Sequence, residues 1–137
     1  MKAKPVCDHI GLFTEDAQRI KEFYVRVFGF EPGDEKILSG TIVADIFGLN
    51  TDCRFIKLRK DGFVIEVFEP LLPRLQKQLA SRIGINHWGC CVKERATLIR
   101  KLQKENIPII EIKKDGHSVY FVIDPDGNKV EVRECQK

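Results

Sequence analysis

The sequence predicts an α+β fold made of two βαβββ modules, each closing on a mixed sheet, and three observations carry that prediction. The stretches DGFVIEVFE (61–69) and DGNKVEVRE (126–134) agree at Asp, Gly, Glu, Val and Glu in the same positions. His9-Ile10-Gly11 and His87-Trp88-Gly89 repeat in the same way at the front of each half. Between these landmarks the apolar spacing switches from a period of two to helical spacing and back, once in each half. Two copies are too few for a solenoid, so a pseudo-symmetric duplication is the better description.

The first module is read as residues 5–69 of a single domain spanning 5–134. Val6 to Phe13 alternates as a strand. Asp16 is placed to cap a helix carrying Ala17, Ile20, Phe23, Tyr24, Val27 and Phe28 at helical spacing, with Gly29 at the C′ position. Phe30-Glu31-Pro32-Gly33 reads as a break in the chain, Thr41 to Phe47 as a short helix closed by Gly48, and Cys53 to Leu58 as a strand. Lys60-Asp61-Gly62 is a hairpin turn signal, followed by a strand over Phe63 to Phe68. Residues 70–84, with two prolines and a leucine-rich patch, read as a connector.

The second module, 85–134, restarts the plan. Ile85 to Val92 is a strand, and Glu94 to Asn106 a helix with Ala96, Ile99 and Leu102 inward. Ile107 to Ile112 and His117 to Ile123 are strands. Asp124-Pro125-Asp126-Gly127-Asn128 is a turn, since proline pre-sets φ and Gly or Asn accepts a left-handed backbone. Lys129 to Glu134 is the last strand.

Composition narrows the function classes. The net charge of +3 comes from 23 basic and 20 acidic residues. They are interleaved along the chain, so the lysine clusters read as solvated faces and nucleic acid is not an expected partner. The N-terminal stretch lacks an apolar core of the signal-peptide type, and no apolar run approaches membrane-spanning length. Five cysteines without a CxxC spacing read as reduced thiols of a cytoplasmic protein rather than a disulfide framework.

Strand parity selects the candidate site. Phe63, Ile65 and Val67 form the face a helix covers, leaving Val64, Glu66 and Phe68 opposite. In the last strand Val130 and Val132 are covered, leaving Lys129, Glu131 and Arg133. His9 lies opposite Val6, Ile10 and Leu12, and His87 opposite Trp88, Cys90 and Val92. The four polar residues His9, Glu66, His87 and Glu131 all fall on faces away from the helices. Two imidazoles and two carboxylates suit one divalent ion per site, whether Zn, Ni, Co, Mn or Fe. Phe68 and Arg133 share the inner faces and are candidate substrate contacts. The third strand of the second module places either His117, Val119 and Phe121 or Ser118, Tyr120 and Val122 inside. Cys7 and Cys91 read as small wall residues. Glu69 and Glu134 point the other way and read as strand-end solvation.

HIGLFTEDAQRIKEFYVRVFGFEP, the second HWG and the closing FVIDPDGNKVEV resemble the vicinal oxygen chelate superfamily, which includes glyoxalase I, methylmalonyl-CoA epimerase, extradiol dioxygenases and the fosfomycin and bleomycin resistance proteins. The resemblance runs from about Val6 to Glu134. It implies a glyoxalase-like cup of paired modules around a metal, with ligands at His9, Glu66, His87 and Glu131, and it favours His117 and Phe121 among the inner residues. The implied activity is that of a lyase or isomerase that chelates two vicinal oxygens of a small substrate and stabilises an enediolate. Glu66 or Glu131 acts as the base in this scheme, with a lean to Glu131. Phe13 stands where glyoxalase I has a substrate-holding arginine, which speaks against a glutathione hemithioacetal. Alternatives within the family are a drug-binding resistance protein, a thiol transferase and a dioxygenase. A homodimer is expected.

Overall fold

The computed structural model describes residues 7–72, 85 and 87–135. Val6 and the 73–84 part of the connector lie outside the described residues. The chain divides into two units, Met1–Lys77 and Gln78–Lys137, and each is described by itself.

The first unit runs β1 (His9–Phe13), α1 (Ala17–Phe28), β2 (Glu31–Leu38), α2 (Gly40–Phe47), β3 (Cys53–Lys60) and β4 (Phe63–Pro70). Its sheet has the order β1-β4-β3-β2, with β1 parallel to β4 and the other pairs antiparallel. The second unit repeats this with β5 (His87–Val92), α3 (Arg95–Lys104), β6 (Ile109–Lys114), β7 (His117–Ile123) and β8 (Lys129–Glu134), in the order β5-β8-β7-β6. Again the first strand lies parallel to the last. The α+β class and the two modules therefore stand as the sequence predicted.

Helix α1 begins and ends where its caps require. Asp16 is extended and its carboxylate accepts the Arg19 N–H at 3.0 Å. The Thr14 hydroxyl accepts the Asp16 N–H. Gly29 takes the left-handed conformation (φ 71°) that a side-chain-bearing residue adopts at a cost. Ala17, Ile20, Phe23, Tyr24 and Phe28 form its buried stripe. Beneath that stripe the sheet presents Ile56, Leu58, Ile65 and Val67, all 1% exposed or less. Removing this apolar surface from water, at roughly 25 cal/mol per Å², holds the helix on one face and fixes which residues remain on the other.

Several elements differ from the sequence reading. Phe30 to Gly33 does not break the chain: β2 begins at Glu31 and absorbs Pro32 and Gly33 through a register shift between Pro32 and Glu35. An edge strand tolerates proline because its outward N–H has no ladder partner to lose. Ala96 is exposed, while Ile99 and Leu102 are buried. A spacing of three falls short of a helical turn by about 60° per step, so a run of 96, 99 and 102 drifts off a stripe centred on the last two. The helix itself stops at Lys104. The strand over His87–Val92 does not include Ile85.

A further difference concerns Glu69 and Glu134, which are not merely solvated. Both lie on the helix side of their strands, as parity requires. Glu69 Oε1 accepts the Ala17 N–H at the start of α1 at 3.0 Å, while Oε2 lies 3.7 Å from Arg54 Nε. Glu134 accepts the N–H groups of Glu94 and Arg95 at the start of α3, each at 2.8 Å. Each last strand thus supplies, from a distance in sequence, the anion and acceptor that a helix N-terminus lacks. Glu94 has a left-handed backbone (φ 59°) and no side-chain cap of its own, so Glu134 takes over that role for α3.

The turns obey their sequence signals. Asp61 and Gly62 (φ 49° and 79°) and Asp115 and Gly116 (φ 50° and 78°) each form a two-residue hairpin link with both residues left-handed. In the Asp124–Asn128 turn the 4%-exposed Asp124 carboxylate accepts the N–H groups of Asp126 and Asn128 and the Asn128 side-chain amide. This turn orients β8 and therefore Glu131.

Replacing Glu69 or Glu134 by alanine is expected to destabilise the protein by about 1 kcal/mol each. Urea unfolding of the single and double variants measures this. Glutamine, which keeps an acceptor but loses the charge, is expected to recover part of the loss.

Candidate functional site

In the first unit, parallel pairing puts Gly11 of β1 directly beside Glu66 of β4 and His9 beside Val64. His9, Gly11 and Phe13 therefore share one face with Val64, Glu66 and Phe68, while Ile10 and Leu12 turn toward α1. The His9 Nε2 lies 3.8 Å from Glu66 Oε2. Its Nδ1 lies 2.8 Å from the Asp8 carboxylate. A carboxylate on one ring nitrogen orients the imidazole and leaves the other nitrogen toward Glu66, the arrangement common around metal-binding histidines. The hydrogen bond to Asp8, and then the charge of Glu66, raise the His9 pKa above 6.5.

The second unit repeats the pair. Gly89 of β5 lies beside Glu131 of β8, and His87 Nε2 is 3.4 Å from Glu131 Oε2. Phe121 of β7 is paired with Glu131 and meets the His87 ring edge-to-face at 5.3 Å. This settles the open parity of β7 in favour of His117, Val119 and Phe121. Arg133 Nε donates to Glu131 Oε1 at 2.7 Å. That hydrogen bond and the guanidinium charge hold the Glu131 carboxyl below its ordinary range, with His87 adding to the effect. Arg133 is in turn held protonated by Glu131.

The glycines beside the glutamates are a condition of this geometry. A Cβ on Gly89 would stand 3.4 Å from the Glu131 carbonyl oxygen and 3.6 Å from its Cβ. On Gly11 it would touch the Phe68 ring at 3.4 Å. A methyl group fits at van der Waals contact, but a branched side chain would occupy the space through which the carboxylate reaches the histidine.

The other candidate contacts are placed differently. Phe68 is 8% exposed and belongs to a buried cluster with Val43, Cys53 and Phe55, covered by Phe47 of α2. Its ring lies 4.9 Å from Phe47 and 5.0 Å from Phe55. Phe13, which packs edge-on against Phe47 at 4.8 Å and remains 46% exposed, is the accessible aromatic group on that face. Its position at the same parity as His9 was a signal for it, although the sequence reading weighed only the lost arginine there. His117 is exposed at the hairpin end of β7 and lines an open groove with Arg95, Lys113, Ser118 and Tyr120. It stands four residues along the strand from Phe121, roughly 13 Å in extended chain. Asp8 and Lys57 were not singled out by the sequence; Lys57 pairs with Glu66 across β3 and β4.

Two donors sharing an ion at roughly 2.1 Å each lie about 3.0–3.4 Å apart. The His87–Glu131 pair already has that separation, and the His9–Glu66 pair exceeds it by a few tenths of an ångström. The donor types and spacing fit a divalent transition metal. Each unit supplies two donors; among the described residues no group of three or more His, Cys, Asp and Glu is assembled for a metal.

The sequence profile of the Glyoxalase/Bleomycin resistance protein/Dioxygenase superfamily matches residues 6–132, and the chain belongs to that superfamily. Among curated proteins, none matches the chain in sequence. The fold is similar to a glyoxalase family protein from Bacillus cereus, with a TM-score of 0.78 and 14% identity over 97% of this chain and 96% of that one. A glyoxalase family protein from Enterococcus faecalis gives 0.70 and 21% identity over 94% and 97%. The lactoylglutathione lyase of Agrobacterium tumefaciens gives 0.64 and 18% over 97% and 96%. At these identities the likeness is one of fold.

Two outcomes are expected. The His9 ring is expected to titrate above 6.5 in an NMR pH series, and Asp8→Asn to lower its midpoint. Because the folded value lies above the unfolded one, protonated His9 favours the fold at pH below about 6.5. That contribution fades as pH rises through the folded value. Gly89→Val is expected to keep the circular dichroism spectrum of the parent while weakening divalent-metal binding measured by calorimetry, whereas Gly89→Ala stays close to the parent.

Proposed function

We infer that the chain is a divalent-metal-dependent lyase or isomerase of the glyoxalase-like type, acting on a small substrate with two neighbouring oxygens. The observation that carries this reading is the duplicated His–Glu pair, set in the same register on the open face of each sheet. Superfamily membership supports it, since the chain keeps a histidine and a carboxylate in both modules. His9, Glu66, His87 and Glu131 would hold the ion. A divalent metal there supplies Lewis-acid polarisation of a carbonyl and lowers the cost of removing the adjacent carbon-bound proton.

The chain's own residues divide the remaining work. Arg133 keeps Glu131 ionised and lowers its affinity for a proton, which suits Glu131 to a fixed ligand and weakens it as a base. The proton-carrying role therefore passes to Glu66, against the lean of the sequence toward Glu131. Phe13 and Phe121 offer flat apolar walls near the two pairs, and an aromatic group at Phe13 favours a substrate without an anionic arm at that point. A homodimer in a reducing cytoplasmic compartment completes the reading.

Metal analysis and a substrate screen test it together. The purified protein is expected to bind about one divalent ion per site, and His87→Ala to lose it. Glu66→Gln, whose amide oxygen can still coordinate, is expected to keep the metal and lose turnover of small α-hydroxycarbonyl substrates. A metal-free protein that binds its small molecule with undiminished affinity would instead make it a sequestration protein of the same superfamily.

A further inference from the structure

Outside the histidine–carboxylate pairs, the second unit brings two thiols together. Cys91 lies on β5 at the same parity as His87 and Gly89, and it is exposed. Cys135 follows β8 directly, and its N–H donates to the Val92 carbonyl at 3.0 Å, extending the parallel ladder by one step. Alternation along 131, 133 and 135 puts its side chain on the face of Glu131 and Arg133. The two Sγ atoms are 2.7 Å apart. A formed disulfide has an S–S distance of about 2.04 Å, so closing the bond needs only a small side-chain adjustment.

We propose that Cys91 and Cys135 are a reversible redox modification site, closing to a disulfide across the β5–β8 ladder. Neighbouring cysteines differ in ways that make the pair selective. Cys53 is fully buried and its thiol is pushed up to about 11 by that burial, which leaves it inert. Cys90 has the opposite parity on β5. The Cys135 thiol donates its hydrogen to Cys91 Sγ, and this raises the Cys135 pKa.

The chemistry uses a hydroperoxide as oxidant. Cys91 thiolate attacks one peroxide oxygen and the O–O bond breaks. Cys91 becomes a sulfenic acid, and the departing hydroxide leaves as water with the proton of Cys135. The Cys135 sulfur then attacks Cys91 Sγ, the S–S bond forms, and the sulfenic oxygen leaves as a second water after protonation. Overall two thiols and one hydrogen peroxide give one disulfide and two waters; each sulfur loses one electron and the peroxide gains two. A dithiol reverses the step by exchange through a mixed disulfide.

The test is stoichiometric peroxide treatment of the folded full-length protein, followed by unfolding and thiol titration. The free thiols are expected to fall from five to three, without formation of a covalent dimer, and to return on treatment with dithiothreitol. Cys90 and Cys91 share one tryptic peptide, so assignment needs variants. Cys90→Ser is expected still to lose two thiols, whereas Cys91→Ser and Cys135→Ser lose the intramolecular bridge. Retention of all five thiols in the parent would overturn the proposal, as would a bridge to Cys7, Cys53 or Cys90, or persistence of the bridge in Cys91→Ser. Circular dichroism of the variants before oxidation shows that each result comes from a folded protein.

Discussion

Everything at the candidate site depends on the parallel pairing of the first and last strand in each unit. Gly11 beside Glu66 and Gly89 beside Glu131 set the register, and a histidine two residues before the glycine then stands within reach of the carboxylate. A slip of one residue would turn the glutamate under the helix and the capping glutamate toward the site. The register is held by burial: Ile65 and Val67 in one unit, and Val130 and Val132 in the other, are fully covered. The apolar contacts that fold each sheet are also what aims its donors.

This explains why parity was so informative in the sequence. A period of two leaves only two faces to choose between, and the β-branched residues of VIEV and KVEV choose for the glutamates. The turns were equally legible, because Asp61-Gly62 and the Asp124–Asn128 segment use residues suited to left-handed or locally bonded backbone. Other features were hidden because they depend on contacts distant in sequence. No local pattern says that Val43 and Phe47 of α2 cover Phe68, which turned an expected pocket wall into core. The grip of Arg133 on Glu131 needed side-chain conformations, since parity established only a shared face. Pro32 and Gly33 were misread because punctuation residues look alike in a loop and in an edge strand with a register shift.

The two histidine–glutamate pairs are alike in plan and unlike in electrostatics. His9 is tuned by Asp8, its sequence neighbour, while Glu131 is tuned by Arg133, two residues along its own strand. One half raises the proton affinity of its imidazole and the other lowers that of its carboxylate. In the function proposed above, that difference is what would let Glu66 carry a proton while Glu131 serves as a ligand. The asymmetry lies in the residues around the repeat rather than in the repeat itself.

Each last strand carries two glutamates three residues apart, one turned to the open face and the other to the start of a helix. Alternation makes these roles mechanically separate: the carboxylate that docks the helix has no view of the one that serves the site. Changes in stability and in chemistry at these two positions should therefore combine almost independently, as expected of groups without shared partners. A scaffold of this kind can exchange its reactive groups while its architecture stays in place. The same short strand serves as both a structural clamp and a replaceable tool-holder.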